Sequence, residues 1–142
     1  MAYASWSVIA GETPTASKWN ILGTNDADFD SRVGQLEDDK VLASNSDGAT
    51  ITFNLSTSKM HTVVLGGNRT LALSNAETGK AFCIRLVQPS SSAGKTVTWF
   101  SGIKWPYNVT PVLSTAVNAI DTFVFICTGS GAYDGYIAGQ GL

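Results

Sequence analysis

Few residues in this chain are able to do chemistry, and their spacing narrows what they can do. His61 is the single histidine, so nucleophilic catalysis of the serine or cysteine type would rest on it alone. It stands in a strand-like run with Val63 and Leu65, where a packed or surface histidine fits better than a general base. Asp26, Asp28, Asp30 and Glu37 fall on the first, third, fifth and twelfth places of a calcium loop. That pattern would surround a hard cation with oxygen. Ser31, however, occupies the place where such a loop needs a glycine for its sharp turn. The reading is therefore an acidic surface loop without a metal, with calcium at Asp26, Asp28, Asp30 and Glu37 as the alternative. Asp47, Glu77, Asp121 and Asp134 each stand alone beside turn signals. The sequence has no G-x-S-x-G elbow, phosphate-binding glycine loop or dinucleotide fingerprint. The expectation is a protein that is not an enzyme and takes no cofactor.

Two cysteines, Cys83 and Cys127, sit inside apolar runs, Phe82-Cys83-Ile84 and Ile126-Cys127-Thr128. Buried reduced thiols are expected there, with a disulfide between neighbouring strands as the alternative. Trp99, Phe100, Trp105 and Tyr107 gather around one long loop. Packing across the end of a sheet is the expected use of such rings. Trp105 and Tyr107 are also the candidates for stacking on a glycan or touching a partner.

These residues need a frame, and the hydrophobic pattern supplies a β one. Phe82, Ile84 and Leu86 alternate with Cys83, Arg85 and Val87, so one set faces each side of a strand. Both sets are apolar apart from Arg85, as in a strand held between layers or at a subunit contact. The Pro89–Gly94 loop is expected to reverse the chain into a second strand at Thr96–Trp99. Ile51, Phe53 and Leu55 alternate in the same way, as do Phe123, Phe125 and Cys127. His61, Val63 and Leu65, followed by Gly66-Gly67-Asn68-Arg69 and then Leu71 and Leu73, read as a hairpin. The fold expected is an all-β, jelly-roll-like β-sandwich of seven or eight strands over 41–142.

Residues 1–40 lack that rhythm and form a docking arm, extended and partly helical. A short helix is expected from Pro14, with Trp19 and Leu22 on one face and Gly23 ending it. Trp6, Trp19 and Leu22 are the candidates for fixing the arm to a partner.

Composition limits the partners. Charged residues make up 14% and the net charge is −2, against about 25% charged residues in an average soluble protein. No basic block attracts nucleic acid, and no run approaches the roughly 20 apolar residues of a membrane span. The opening Met1–Trp6 segment lacks the basic start and apolar run of a secretory leader, so assembly in the cytoplasm is expected. So few surface charges point to a surface partly covered in an oligomer.

Trp6-Ser7-Val8 and the run Gly11–Asp26 resemble the N-terminal segment of many tailed-bacteriophage structural proteins. Leu65–Leu71, Thr96–Phe100, Ile103–Pro106 and Asp121–Phe125 resemble modules that recur in phage tail fibres and related virion proteins. The resemblance implies a homotrimer in the virion, assembled in the host cytoplasm, with the arm docked on other virion structural proteins. It implies a tail-fibre or tail-tip module with a host-surface glycan as a further partner. A capsid decoration or head-fibre protein that clamps the shell is the alternative.

Overall fold

The computed structural model describes residues 15–38 and 41–142. The chain divides into two compact units at Glu37/Asp38, and each is taken by itself.

Among its described residues the first unit carries one helix, α1, Ala16–Asp38. It is longer than the expected helix, which Gly23 was to end. A glycine inside a helix costs about 1 kcal/mol relative to alanine but does not break the hydrogen-bond ladder. No proline follows it within the helix, and Ala27, Arg32, Gln35 and Leu36 are helix formers. Thr24 turns its hydroxyl inward, its Oγ1 donating to the Asn20 carbonyl at 2.9 Å. The helix runs through all four acidic positions of the calcium pattern, which corrects the expected loop. Residues two apart on a helix lie on nearly opposite sides. Asp26 and Asp30 therefore share a face that Asp28 does not, and the carboxylates cannot converge on one ion as a loop would bring them.

The second unit is β-rich, as its alternation requires. Its strands are β1 Leu42–Ser44, β2 Thr50–Asn54, β3 Met60–Val64, β4 Arg69–Ser74, β5 Ala81–Val87, β6 Val97–Thr98, β7 Ile103–Lys104, β8 Ile120–Gly129 and β9 Ala132–Gly139. One sheet has six strands in the order β1-β3-β5-β8-β9-β7, and the other has three in the order β2-β4-β6. From β1 to β6 the chain alternates between the sheets, and each new strand lies parallel to the one laid down a turn earlier. The winding is that of a short coil. The long hairpin β8–β9 then adds antiparallel to β5, and β7 pairs parallel with the start of β9.

The pairing corrects three expectations. A jelly roll joins its strands antiparallel, whereas β1, β3 and β5 are parallel, as are β2, β4 and β6. β3 and β4 do not form a hairpin, and β5 and β6 do not pair; in each case the two strands belong to different sheets. Alternation fixes which face a side chain takes but does not choose the neighbouring strand. Leu65, fully buried at the corner after β3, donates its N–H to the Val87 carbonyl, so the chain keeps pairing while it leaves the first sheet. Gly66 and Gly67 make room for the ion pair there. A Cβ on Gly66 would lie 2.5 Å from Asp47 Oδ2, and one on Gly67 would lie 2.8 Å from an Arg69 guanidinium nitrogen.

One core receives side chains from both sheets: Ile51, Phe53 and Leu71 from the smaller, and Val63, Phe82, Ile84, Leu86, Phe123, Phe125 and Cys127 from the larger. Burying each large apolar side chain contributes about 1.5–3 kcal/mol. Cys127 faces this core and Cys83 faces the other side of the six-stranded sheet. Both thiols are free, and the opposed directions rule out the disulfide alternative.

Candidate interaction surface

The outer face of the six-stranded sheet follows from the strand register. Leu42 lies beside Met60, Met60 beside Cys83, Cys83 beside Val124, and Val124 beside Tyr136. Five apolar side chains thus form one row across five of the six strands, from β1 to β9. Its ends and second member are well exposed, Leu42 at 44%, Met60 at 43% and Tyr136 at 45%. The next row along the strands is polar, with Ser44, Thr62, Arg85 and Thr122. Beyond it Val64, Val87 and Ile120 are apolar again. Arg85 is the one charged side chain of these three rows, matching what the alternation of β5 predicted. Burial raises the Cys83 thiol above its ordinary pKa, only partly offset by the nearby Arg85 charge. That keeps it protonated and inert at neutral pH.

The aromatic cluster closes one end of the core. Phe82 stacks on Phe125 with ring centroids 5.1 Å apart, Trp99 meets Phe123 edge-on at 4.8 Å, and Trp105 meets Trp99 at 5.1 Å. Phe100 packs edge-on against Tyr133 at 5.2 Å. Trp105 is buried among these rings, which corrects its candidacy as a glycan-stacking surface: the indole is used up in packing. Gly135 is what admits it, since a Cβ there would lie 2.8 Å from the indole ring. Tyr107 behaves oppositely. It stands 98% exposed on a single 3-10 turn, Pro106–Asn108, with φ 56° and ψ 17°. A left-handed backbone at a tyrosine costs on the order of 1–2 kcal/mol, and here it holds a bare ring in solvent. Beside it Lys104, Trp105, Pro106, Asp134, Gly135 and Tyr136 line an open groove of about 300 Å³.

The remaining chemistry-bearing residues serve the fold. His61 is buried, with Nε2 2.9 Å from the Ser58 carbonyl and Nδ1 3.1 Å from Asn45 Nδ2. An amide N–H₂ only donates, so Nδ1 accepts and Nε2 carries the proton, the neutral tautomer. Burial lowers its pKa below the ordinary 6.5. The folded state therefore binds fewer protons than the unfolded one as pH falls below that value. This contribution to stability is complete above about pH 6.5 and is lost on acidification towards the lower folded-state pKa. We expect the urea midpoint to fall between pH 7 and pH 5, and the fall to be smaller in His61→Gln, whose side chain does not titrate.

Asp47 and Arg69 form a two-pronged pair, Nε to Oδ1 at 2.8 Å and a terminal guanidinium nitrogen to Oδ2. The Arg69 hydrogen bonds hold the Asp47 carboxyl below its usual pKa. Lys59 lies 3.7 Å from Glu77. Asp121 is buried and accepts from Ser114 N, Ser114 Oγ and Gly141 N at 2.6, 2.7 and 2.9 Å. Of the arm candidates, Trp6 lies outside the described residues. Trp19 and Leu22 fall in α1, with their side chains outside the description. Among the described residues no group of three or more His, Cys, Asp or Glu is placed to hold a metal, and no helix is long and apolar enough to cross a membrane.

The apolar row and the Asp121 clasp escaped the sequence reading. The row depends on strand partners that a linear pattern does not name, and the clasp gathers Ser114 and Gly141, 7 and 20 residues away on either side of Asp121, onto one carboxylate. Comparison with known proteins returned no matching family model, no matching curated protein and no matching solved structure.

Proposed function

We propose that this chain is a structural virion protein of a tailed bacteriophage, a homotrimeric β-sandwich module of the tail fibre or tail-tip apparatus. The observation that supports it most is the outer face of the six-stranded sheet, with its apolar row from Leu42 to Tyr136 exposed at Leu42, Met60 and Tyr136. Such a face on a chain with 14% charged residues is suited to contact with other protein. The function is binding. The arm, including Trp6, Trp19 and Leu22, docks on other virion proteins, and the β-rich body joins its copies and presents loops. Tyr107 is the ring best placed for a host-surface glycan, since it alone of the loop aromatics is bare.

Light scattering of the purified chain tests the assembly, and three times the 15.0 kDa chain mass is expected. Antibody labelling of intact particles tests the location. Label on tails supports this reading; label confined to heads shifts the protein to a capsid decoration role; absence from particles overturns both.

A further inference from the structure

Among the described residues the six-stranded sheet has two open edges, and they fit each other. At one end β1 pairs only with β3. At the other, β7 pairs with β9 at Tyr133 and Asp134, Trp105 packs on Gly135, and Tyr136, Ile137 and Ala138 are exposed beyond it. Natural sheets guard such edges with charges, prolines or bulges. Neither Leu42-Ala43-Ser44 nor Tyr136-Ile137-Ala138-Gly139 contains a charged residue or a proline, so no like charges oppose their meeting, and the register shift of β9 against β8 falls after Ile137.

We infer that β1 of one copy adds to the open part of β9 of the next, in parallel, with Leu42 beside Tyr136, Ala43 beside Ile137 and Ser44 beside Ala138. This rests on the homotrimer proposed above and names its contact.

Three features carry the register. The first is direction: β1 runs parallel to β5, and β9 reaches that same direction through two antiparallel steps, β5 to β8 and β8 to β9. The added strand therefore continues the sense of β7, which already lies parallel to β9. The second is the pleat. Leu42 and Tyr136 are both members of the outer apolar row, so the match carries that row across the junction unbroken. The third is the phase of the main chain. Tyr133 donates to the Gly102 carbonyl at 3.0 Å on the β7 side. Ile137, four residues on and past the end of β7, therefore turns its N–H and C=O to the open edge. On β1, Asn45 donates to the Thr62 carbonyl at 2.8 Å on the β3 side, so Ala43 faces β3 and Leu42 and Ser44 face outward. A parallel ladder then closes with Ile137 N–H donating to the Leu42 carbonyl and Ser44 N–H donating to the Ile137 carbonyl. A slip of one residue would break both the pleat and this phase.

The groove adds a place for the next side chain. It lies where β7 leaves β9, lined by Trp105, Gly135 and Tyr136. Val41, 54% exposed and just before β1, comes to the rim of the groove beside Trp105 in this register. The contact joins two different edges. Such a head-to-tail contact closes into a ring when the rotation between copies closes, and the trimer proposed above is a ring of three.

Charge placed at the junction tests it. Leu42 and Tyr136 are about half exposed in the single chain, so charged replacements leave the fold intact, which circular dichroism verifies. The like-charged pair Leu42→Asp with Tyr136→Asp should reduce the scattering mass threefold, from trimer to monomer. The opposite pair, Leu42→Lys with Tyr136→Asp, should restore the trimer. A trimer that survives the like-charged pair, or one that the opposite pair fails to restore, overturns the edge contact. Val124→Glu, in the middle of the same face, separates the alternatives. If it alone dissociates the trimer, the copies meet face to face, and the trimeric reading stands without the edge contact. A wild-type monomer removes both.

Discussion

Replacing Gly102 by alanine is expected to destabilise the β-rich unit by about 3–5 kcal/mol, with the midpoint of urea unfolding falling accordingly. Two costs add at this position. Its φ of 82° is one that L-residues avoid, worth about 1–2 kcal/mol. The larger cost is space. A Cβ there would lie 1.9 Å from the Gly131 carbonyl oxygen and 3.0 Å from its carbon. Both are backbone atoms of the turn between β8 and β9, which no side-chain rotation can clear. The Gly102 carbonyl also accepts from Tyr133 N–H at 3.0 Å, so pushing the two turns apart breaks the first link between β7 and β9. Gly79→Ala is the control. Its φ is 83°, yet nothing lies within 4 Å of the added carbon. That variant should show the conformational cost alone, about 1–2 kcal/mol. Equal losses in the two variants would mean that the close approach at Gly131 is not a constraint.

The second large effect is expected at Asp121. Its buried carboxylate accepts two main-chain N–H groups and one hydroxyl, and so fastens the loop at Ser114 and the C-terminal Gly141 to β8. Asp121→Ala leaves three donors without an acceptor. Each unsatisfied buried group costs about 1–3 kcal/mol, and a loss of roughly 3–5 kcal/mol overall is expected because the loop can relax towards water. The loosening should be local before it is global. Limited proteolysis is expected to cut first between residues 109 and 119 in the variant, where wild type resists. Unchanged protease resistance together with an unchanged urea midpoint would show that the clasp does not hold these segments.

How far the sequence announced this molecule depends on whether a feature is set by neighbours in the chain or by neighbours in space. The inward set Phe82, Ile84 and Leu86 and the outward set Cys83, Arg85 and Val87 were readable, because the pleat alone assigns them. So were Phe123, Phe125 and Cys127 in β8. The parallel coil was not, since a corner such as Leu65–Asn68 carries the same glycines as a hairpin turn. The direction the chain takes there depends on the Asp47–Arg69 pair and on Val87, both distant in sequence. The helix outran its expected end because one glycine weakens a helix without stopping it. That same continuity removes the calcium loop. Trp105 and Tyr107, two residues apart and alike as candidates, separated completely. Gly135 leaves a berth for the indole, whereas the left-handed turn lifts the phenol ring into solvent. His61 was readable only as a packed or surface residue, and its burial and its hydrogen bonds to Asn45 and Ser58 required the corner geometry.

Among candidate sites, the outer face shows the boundary most clearly. The two-sided apolar character of β5 was visible and pointed to a layer or a subunit contact. The row that makes it a surface needed five strands in register. The phage reading supplies the partners in kind, copies of the chain and other virion proteins, and the sheet supplies the place where they would meet.

Sedimentation equilibrium of the purified full chain over a wide concentration range tests the central claim most directly. A single species of three chains that persists on dilution is the result this account predicts. A species of one chain at every concentration, with the apolar row left in water, would contradict it.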